Sequence, residues 1–169
     1  MSAPAVTTPH ADPGAARELI SPALFGQLAR RIVTEHGVDS RLAERIMTEA
    51  LAFLYACAHS DRPLAPSLMV DIGWHTFILY TRDYARFCRK IAGRFLHHVP
   101  DDEPPVTPVD DEVGHRALRD TIVALTATGH HVDIELWTPT TPVATRCNGG
   151  GGSGTGKCSQ CHAGCVNSP

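Results

Sequence analysis

The sequence predicts an all-α fold: a compact bundle of four to five helices with a short extended segment and a disordered Gly/Cys-rich tail. Apolar residues recur at three- and four-residue intervals through most of residues 20–128. Candidate capping residues precede these runs, and glycines follow several of them. The chain has 169 residues, of which 43% are hydrophobic, enough for one domain with a buried core. We expect a helical domain at 20–137, a disordered N-terminus at 1–19 and a Thr/Pro/Gly-rich tether with a Cys-rich tail at 138–169.

Ser21 and Gly37 bound the first predicted helix. Ser21 can cap it, and the proline that follows fits the first turn, where its missing N–H costs nothing. Asp39 or Ser40 can cap the second helix, which has one apolar face. The residues on this face are Leu42, Ile46, Ala50, Phe53, Leu54 and Cys57. We expect the charged residues of this helix, including Glu49, to lie largely on its other faces.

The third and fourth predicted helices follow a loop that contains two prolines. Ser67 can cap the third helix, which runs to about Tyr80 and is apolar on most sides, as is typical of a central helix. Thr81 is the candidate cap of the fourth helix, and Gly93 ends it. The fourth helix has an amphipathic face made of Tyr84, Phe87, Cys88 and Ile91.

A fifth helix is predicted at about 110–128, after an acidic, Pro-rich linker and before Gly129. Beyond it, apolar and other residues alternate in the way that is typical of a strand. The apolar positions are Val132, Ile134 and Leu136, and the alternating ones are Asp133, Glu135 and Trp137. Because a lone strand is not stable, we expect this extended segment to lie along the helices or to pair with another chain.

Charge and hydropathy exclude several classes of protein. The formal net charge of −3 argues against a general nucleic-acid binder, which would be basic overall. No apolar run approaches the roughly 20 residues that a membrane-spanning helix needs. The first residues lack the basic and apolar regions of a secretory signal. We therefore expect a cytoplasmic protein whose partner is another protein.

Asp71 and His75 lie four residues apart and therefore share one face of the third helix. A carboxylate can orient an imidazole that ligates a metal or acts as a general base. His97 or His98 could supply a further ligand, because the chain returns toward the core after Gly93. The alternative is a buried Asp–His pair that only fixes the register of the helix, and the lack of a third certain ligand favours it.

Three aromatic residues of the helix pair, Trp74, Tyr80 and Tyr84, could line a ligand pocket. Their spacing is simply helical, which favours positions in the core instead. We expect the polar atoms of these side chains to lie near the surface.

The last part of the chain has the most specific metal-like spacing. Its candidate zinc ligands are Cys147, Cys158, Cys161, Cys165 and His162. Two thiolates separated by two residues can hold one ion, and glycines allow tight turns between ligands. An iron–sulfur cluster is one alternative, and a reduced tail without a ligand is another. The C-x-x-C-H order also matches haem attachment, which the missing export signal disfavours.

A set of motifs fills residues 70–100. They are Val70-Asp71, Trp74-His75, Phe77-Ile78-Leu79, Arg82-Asp83-Tyr84, Phe87-Cys88, Gly93-Arg94-Phe95 and His97-His98-Val99-Pro100. In these motifs the chain resembles the glycine-rich domain-containing protein-like family, as a bacterial member, over about residues 20–100. The resemblance implies a helical fold and brings no enzymatic activity with it. Plant members carry a second histidine where this chain has Phe77, which argues against a two-histidine site on this helix alone.

No phosphate-binding loop, nucleophile elbow or H-E-x-x-H motif is present in the sequence. The leading hypothesis is therefore a non-enzymatic binding or protein-interaction module whose C-terminal Cys cluster could bind zinc. The first alternative is a metal-binding or metal-dependent enzyme domain that uses Asp71, His75 and either His97 or His98. The second alternative is a Cys-rich peptide substrate, the tail, that a leader-like domain presents to a modifying enzyme.

Overall fold

Six α-helices and one 3₁₀ turn are present in a computed structural model, which describes residues 15–98 and 108–138, with side chains described from residue 114 in the second range. The elements are a 3₁₀ turn at Arg17–Leu19, α1 at Pro22–His36, α2 at Ser40–His59, α3 at Leu68–Ile78, α4 at Thr81–Ala92, α5 at Pro108–Ala127 and α6 at Ile134–Trp137. No strand occurs in the described ranges, and the predicted all-α class is confirmed. The predicted disordered tail lies outside them, and the three predicted segment boundaries stay predictions.

The capping residues define the starts of the first three helices. The side chains of Ser21, Asp39 and Ser67 each accept a hydrogen bond from a backbone N–H in the first turn of α1, α2 and α3. Gly37 and Gly93 end α1 and α4 at φ values of 66° and 67°, a left-handed conformation that favours glycine. These five positions are as the sequence predicts.

The junction between α3 and α4 differs from its prediction. α3 ends at Ile78 rather than at about Tyr80. Tyr80 is the residue before α4, and its carbonyl accepts from the Tyr84 N–H at 2.9 Å. Thr81 is therefore already the first helical residue, and the prediction that it caps α4 is wrong. No side chain caps this end of α4.

α2 and α3 share the centre of the fold: α2 packs against α1, α3, α4 and α5, and α3 packs against α1, α2, α4 and α6. The closest neighbour of α3 is α2, because Gly73 has no side chain: a Cβ there would lie 2.6 Å from the Cβ of Ala50. Trp74 and Phe77 are fully buried on the core side of α3, whereas Leu79 is 58% exposed. None of the helices in the described ranges combines the length and apolar character needed to cross a membrane.

Glu49 contradicts the expectation that the charged residues of α2 lie away from the core. Its neighbours Ile46, Ala50 and Phe53 are buried as predicted, but Glu49 itself is only 3% exposed. Its carboxylate accepts hydrogen bonds from the Asp133 backbone N–H at 3.1 Å and from an indole N–H of α6. Buried charge is tolerated here because it is hydrogen-bonded.

The strand predicted around residue 134 is wrong, since Ile134–Trp137 forms the short helix α6. Strand alternation would turn Ile134 inward and Trp137 outward. The structure has the reverse: Ile134 is 53% exposed and Trp137 is 1% exposed. A helical turn lets the adjacent residues Leu136 and Trp137 both face the core, which strand alternation forbids, and the Trp137 indole then reaches Glu49 on α2. Long-range contacts of this kind override the local pattern.

Candidate metal centre

Asp71 and His75 meet on the surface of α3, one helical turn apart. The distance between His75 Nδ1 and Asp71 Oδ2 is 3.1 Å. The Asp71 side chain is 5% exposed, whereas the His75 side chain is 49% exposed. Asp71 lies in the first turn of its helix, where the helix dipole favours a negative charge. The pair therefore has a buried carboxylate and a ring that reaches solvent.

His98 completes the cluster from a different element, the segment that follows α4. Its Nε2 lies 2.9 Å from Asp71 Oδ1, and its side chain is 7% exposed. The neighbouring His97 is exposed, and its ring packs against Phe95 with 4.9 Å between ring centroids. The open choice between the two histidines is thus resolved in geometry: His98 joins the cluster and His97 does not.

The three side chains offer two imidazole nitrogens and one carboxylate oxygen. These atoms all lie within 4.8 Å of one another. A four-coordinate zinc ion with bonds of about 2.0–2.1 Å needs ligand atoms roughly 3.3 Å apart. The two Asp–His distances, 3.1 Å and 2.9 Å, are close to that separation, but they end on different oxygens of Asp71. To hold a zinc ion, the two imidazole nitrogens must also lie about this far apart.

Electrostatics favour a cation at this place. Burial by itself raises the pKa of Asp71, but the hydrogen bonds from His75 and His98 outweigh it, and the pKa lies below its usual range. The hydrogen bond to Asp71 raises the pKa of His75. The carboxylate is therefore ionised at neutral pH although it is buried. A buried negative charge needs a positive partner, which is either a protonated histidine or a metal ion.

Aromatic rings enclose the imidazole of His98. The Trp74 ring lies 4.3 Å from it between centroids, and the His75 ring lies at the same distance. Trp74 and Tyr84 are core residues as expected, but their polar atoms are not near the surface. The Trp74 indole N–H donates to the Tyr84 hydroxyl at 2.8 Å, deep in the core.

The remaining predicted ligands belong to the tail. The tail residues Cys147, Cys158, Cys161, Cys165 and His162 lie outside the part of the chain that the structure describes. The sequence singled out Asp71, His75 and His98 but not the role of Leu96, whose carbonyl accepts from Tyr84. No sequence signal could have found that contact, because it involves a backbone atom.

The fold and the cluster define an all-α domain with a candidate Asp–His–His metal centre. The profile of the UCP032817-like family matches residues 17–118. This match covers more than half of the chain and includes all three residues of the cluster, and the chain belongs to the UCP032817-like family. No curated protein and no solved structure matches the chain.

The family match corrects the predicted resemblance. Nothing indicates the glycine-rich domain-containing protein-like family, and that prediction is wrong. The motifs that carried the resemblance, at residues 70–100, lie inside the segment that the UCP032817-like profile matches. They indicated a helical domain correctly but were assigned to the wrong family.

Proposed function

We propose that this domain binds one divalent transition-metal ion, zinc first, through Asp71, His75 and His98. The observation that carries the proposal is the convergence of two imidazole nitrogens, from two separate elements of the fold, on one buried carboxylate. The cluster differs from a group of acidic residues on a protein surface, where water would screen the charges. Here Asp71 and His98 are largely shielded, and only His75 reaches solvent.

The donor set suits zinc and its neighbours better than magnesium or calcium. Imidazole nitrogen is a preferred ligand of zinc, copper, iron and nickel, whereas magnesium and calcium prefer oxygen ligands. Three protein ligands leave a fourth position for water or a small ligand, the arrangement of catalytic rather than structural zinc sites. A zinc ion in such a site activates its bound water as a nucleophile. The proposal therefore favours the metal-binding alternative over the interaction module.

The competing interpretation is a clamp without metal. In that case both histidines donate N–H groups to Asp71, and the cluster only ties the segment after α4 to α3. Both interpretations need His98 and Asp71 for stability, so loss of stability alone does not separate them. Metal binding by His75, the exposed member, does separate them.

The experiment is a zinc titration of the chelator-treated full chain by calorimetry, with Co²⁺ spectra as a report on ligand geometry. We expect one tight site with all four tail cysteines (Cys147, Cys158, Cys161 and Cys165) changed to serine. His75→Ala should weaken zinc binding by more than about tenfold, because even the loss of a residue that only orients a metal ligand costs about 10–100-fold. His97→Ala is the matched control and should bind as the parent does.

Two outcomes would overturn the proposal. One is a folded chain that takes up no zinc, cobalt, nickel or iron. The other is binding that disappears in the cysteine-to-serine variant and is unaffected by His75→Ala, which would assign the metal to the tail. The protein partner and the cytoplasmic location stay predictions.

A further inference from the structure

We infer that Tyr84 is a positioning residue for His98 in the metal centre. This inference rests on the proposed function. Tyr84 lies on α4 and is fully buried. The Tyr84 hydroxyl bonds to the Leu96 carbonyl, two residues before His98. It also bonds to the Trp74 indole, whose ring packs against the His98 imidazole.

The first link acts on the backbone. The Tyr84 hydroxyl donates to the Leu96 carbonyl at 2.7 Å, and both residues are almost fully buried. Gly93 ends α4, and among the described residues no backbone–backbone hydrogen bond holds residues 94–98. Side chains of α4 hold this segment instead, since the Cys88 thiol also interacts with the Leu96 backbone. Leu96 is therefore the anchor from which His98 reaches Asp71.

The second link acts on the ring. The Trp74 indole N–H donates to the same Tyr84 oxygen at 2.8 Å. This bond fixes the orientation of Trp74, whose ring lies 4.3 Å from the ring of His98. The hydroxyl oxygen of Tyr84 thus holds the backbone that leads to His98 and also orients the Trp74 ring that packs against the His98 imidazole.

The Tyr84 ring packs independently of its hydroxyl. Its neighbours are Phe77 and Phe95, with 5.3 Å and 5.2 Å between ring centroids. Tyr84→Phe keeps these contacts and removes only the oxygen. The substitution removes the hydroxyl partner of a buried indole N–H and of the Leu96 carbonyl, while all three proposed metal ligands remain.

The test compares Tyr84→Phe with Trp137→Phe in the full chain. The Trp137 variant loses a buried indole hydrogen bond to Glu49, on α2 and away from the cluster. We expect both variants to lose stability without metal. Only Tyr84→Phe should weaken zinc binding, by roughly tenfold, as changes in residues that orient metal ligands do. If Tyr84→Phe fails to fold, Trp74→Phe removes the other half of the ring link and should weaken zinc binding too.

A second readout does not depend on metal. In metal-free protein, the imidazole N–H that His98 directs to Asp71 should exchange slowly with solvent in NMR spectra. Tyr84→Phe should speed this exchange at least about tenfold, whereas Trp137→Phe should not. Zinc binding and imidazole exchange unchanged in Tyr84→Phe would overturn the inference while leaving the metal site intact. A parent chain that binds no metal would overturn the proposed function, and the exchange measurement would still decide the role of Tyr84.

Discussion

Trp137 donates its indole N–H to the buried carboxylate of Glu49, with 2.7 Å between Nε1 and Oε2. The two residues are 88 positions apart, and each is at most 3% exposed. The bond joins α6 to α2 beside Phe53, whose ring lies 6.1 Å from that of Trp137. A short helix near the end of the described chain is thereby part of the core.

Removing the indole N–H should reveal how strongly this pair couples. Trp137→Phe leaves one oxygen of a buried carboxylate without a donor, and we expect a loss of about 2–3 kcal/mol of unfolding free energy. Glu49→Leu, which cannot accept the indole hydrogen bond, and the double variant complete a double-mutant cycle in urea unfolding. We expect a coupling energy of about 1 kcal/mol or more. Additive losses would show that only packing of the ring matters.

Glu49 should also make stability depend on pH. Burial raises its pKa, and the hydrogen bond from Trp137 only partly opposes this shift. The folded state therefore disfavours the ionised carboxylate. The glutamate contribution to stability falls as pH rises from its ordinary pKa of 4.5 through the raised folded value, and is constant above that.

Glu49→Gln isolates this contribution because glutamine does not titrate. The stability difference between the parent and this variant should be largest at acidic pH and should shrink as pH rises. Urea unfolding at several pH values, with chelator present, measures it. A difference that grows with pH would mean that the hydrogen bonds outweigh the burial of Glu49.

Arg45 should be sensitive to a change that preserves its charge. Its Nε and Nη2 donate to the two carboxylate oxygens of Asp133 at 2.6 Å and 2.9 Å, and Nη2 also contacts Glu135. The hydrogen bonds from Arg45 lower the pKa of Asp133. Lysine cannot form the paired contact, so Arg45→Lys should lose about 1 kcal/mol in thermal or urea unfolding.

Arg86→Lys is the matched control for Arg45→Lys. Arg86 pairs with Asp83 at 3.4 Å within α4, and the two side chains are 73% and 38% exposed. An exposed pair within one helix contributes little, and we expect a change below about 0.5 kcal/mol. Equal losses in the two variants would show that the contact between α2 and α6 is worth no more than a surface pair.

Gly73 should not tolerate a methyl group. A Cβ at this position would lie 2.6 Å from Ala50 Cβ and 3.1 Å from the Ile46 carbonyl oxygen, so α3 must move away from α2. We expect Gly73→Ala to lower the unfolding free energy by about 1–3 kcal/mol, despite the better helix propensity of alanine.

Gly114 supplies the control for this helix contact. It lies within α5, is exposed, and has no atom within 4 Å of the position that a Cβ would take. Gly114→Ala should raise stability by up to about 1 kcal/mol. If Gly73→Ala were stabilising too, the close approach of α2 and α3 would be easily relaxed.

The sequence predicted the features that depend on neighbouring residues. Ser21, Asp39 and Ser67 cap helices through bonds to N–H groups three positions later, so their local context was sufficient. The segment at 134–137 was mistaken for a strand because Arg45 and Glu49, far away in the chain, determine its conformation. Periodicity contains no information about such partners.

The candidate metal centre was predictable only in part. The helical spacing of Asp71 and His75 was enough to pair them. His97 and His98 are adjacent and chemically identical, and only the path of the chain after Gly93 selects between them. The hydrogen bond from the Tyr84 hydroxyl to the Leu96 carbonyl ties down that path, and residue spacing does not indicate a bond to a backbone atom.

The burial of Trp137 shows that the packed core extends beyond the segment that the family profile matches. The family match ends at residue 118, yet the core continues through Thr121, Leu125 and Trp137. A fragment trimmed to the matched residues would lack Trp137, and the Glu49 carboxylate and the Phe53 ring would lose this partner. For production of the isolated domain, the useful C-terminal cut therefore lies beyond Thr138.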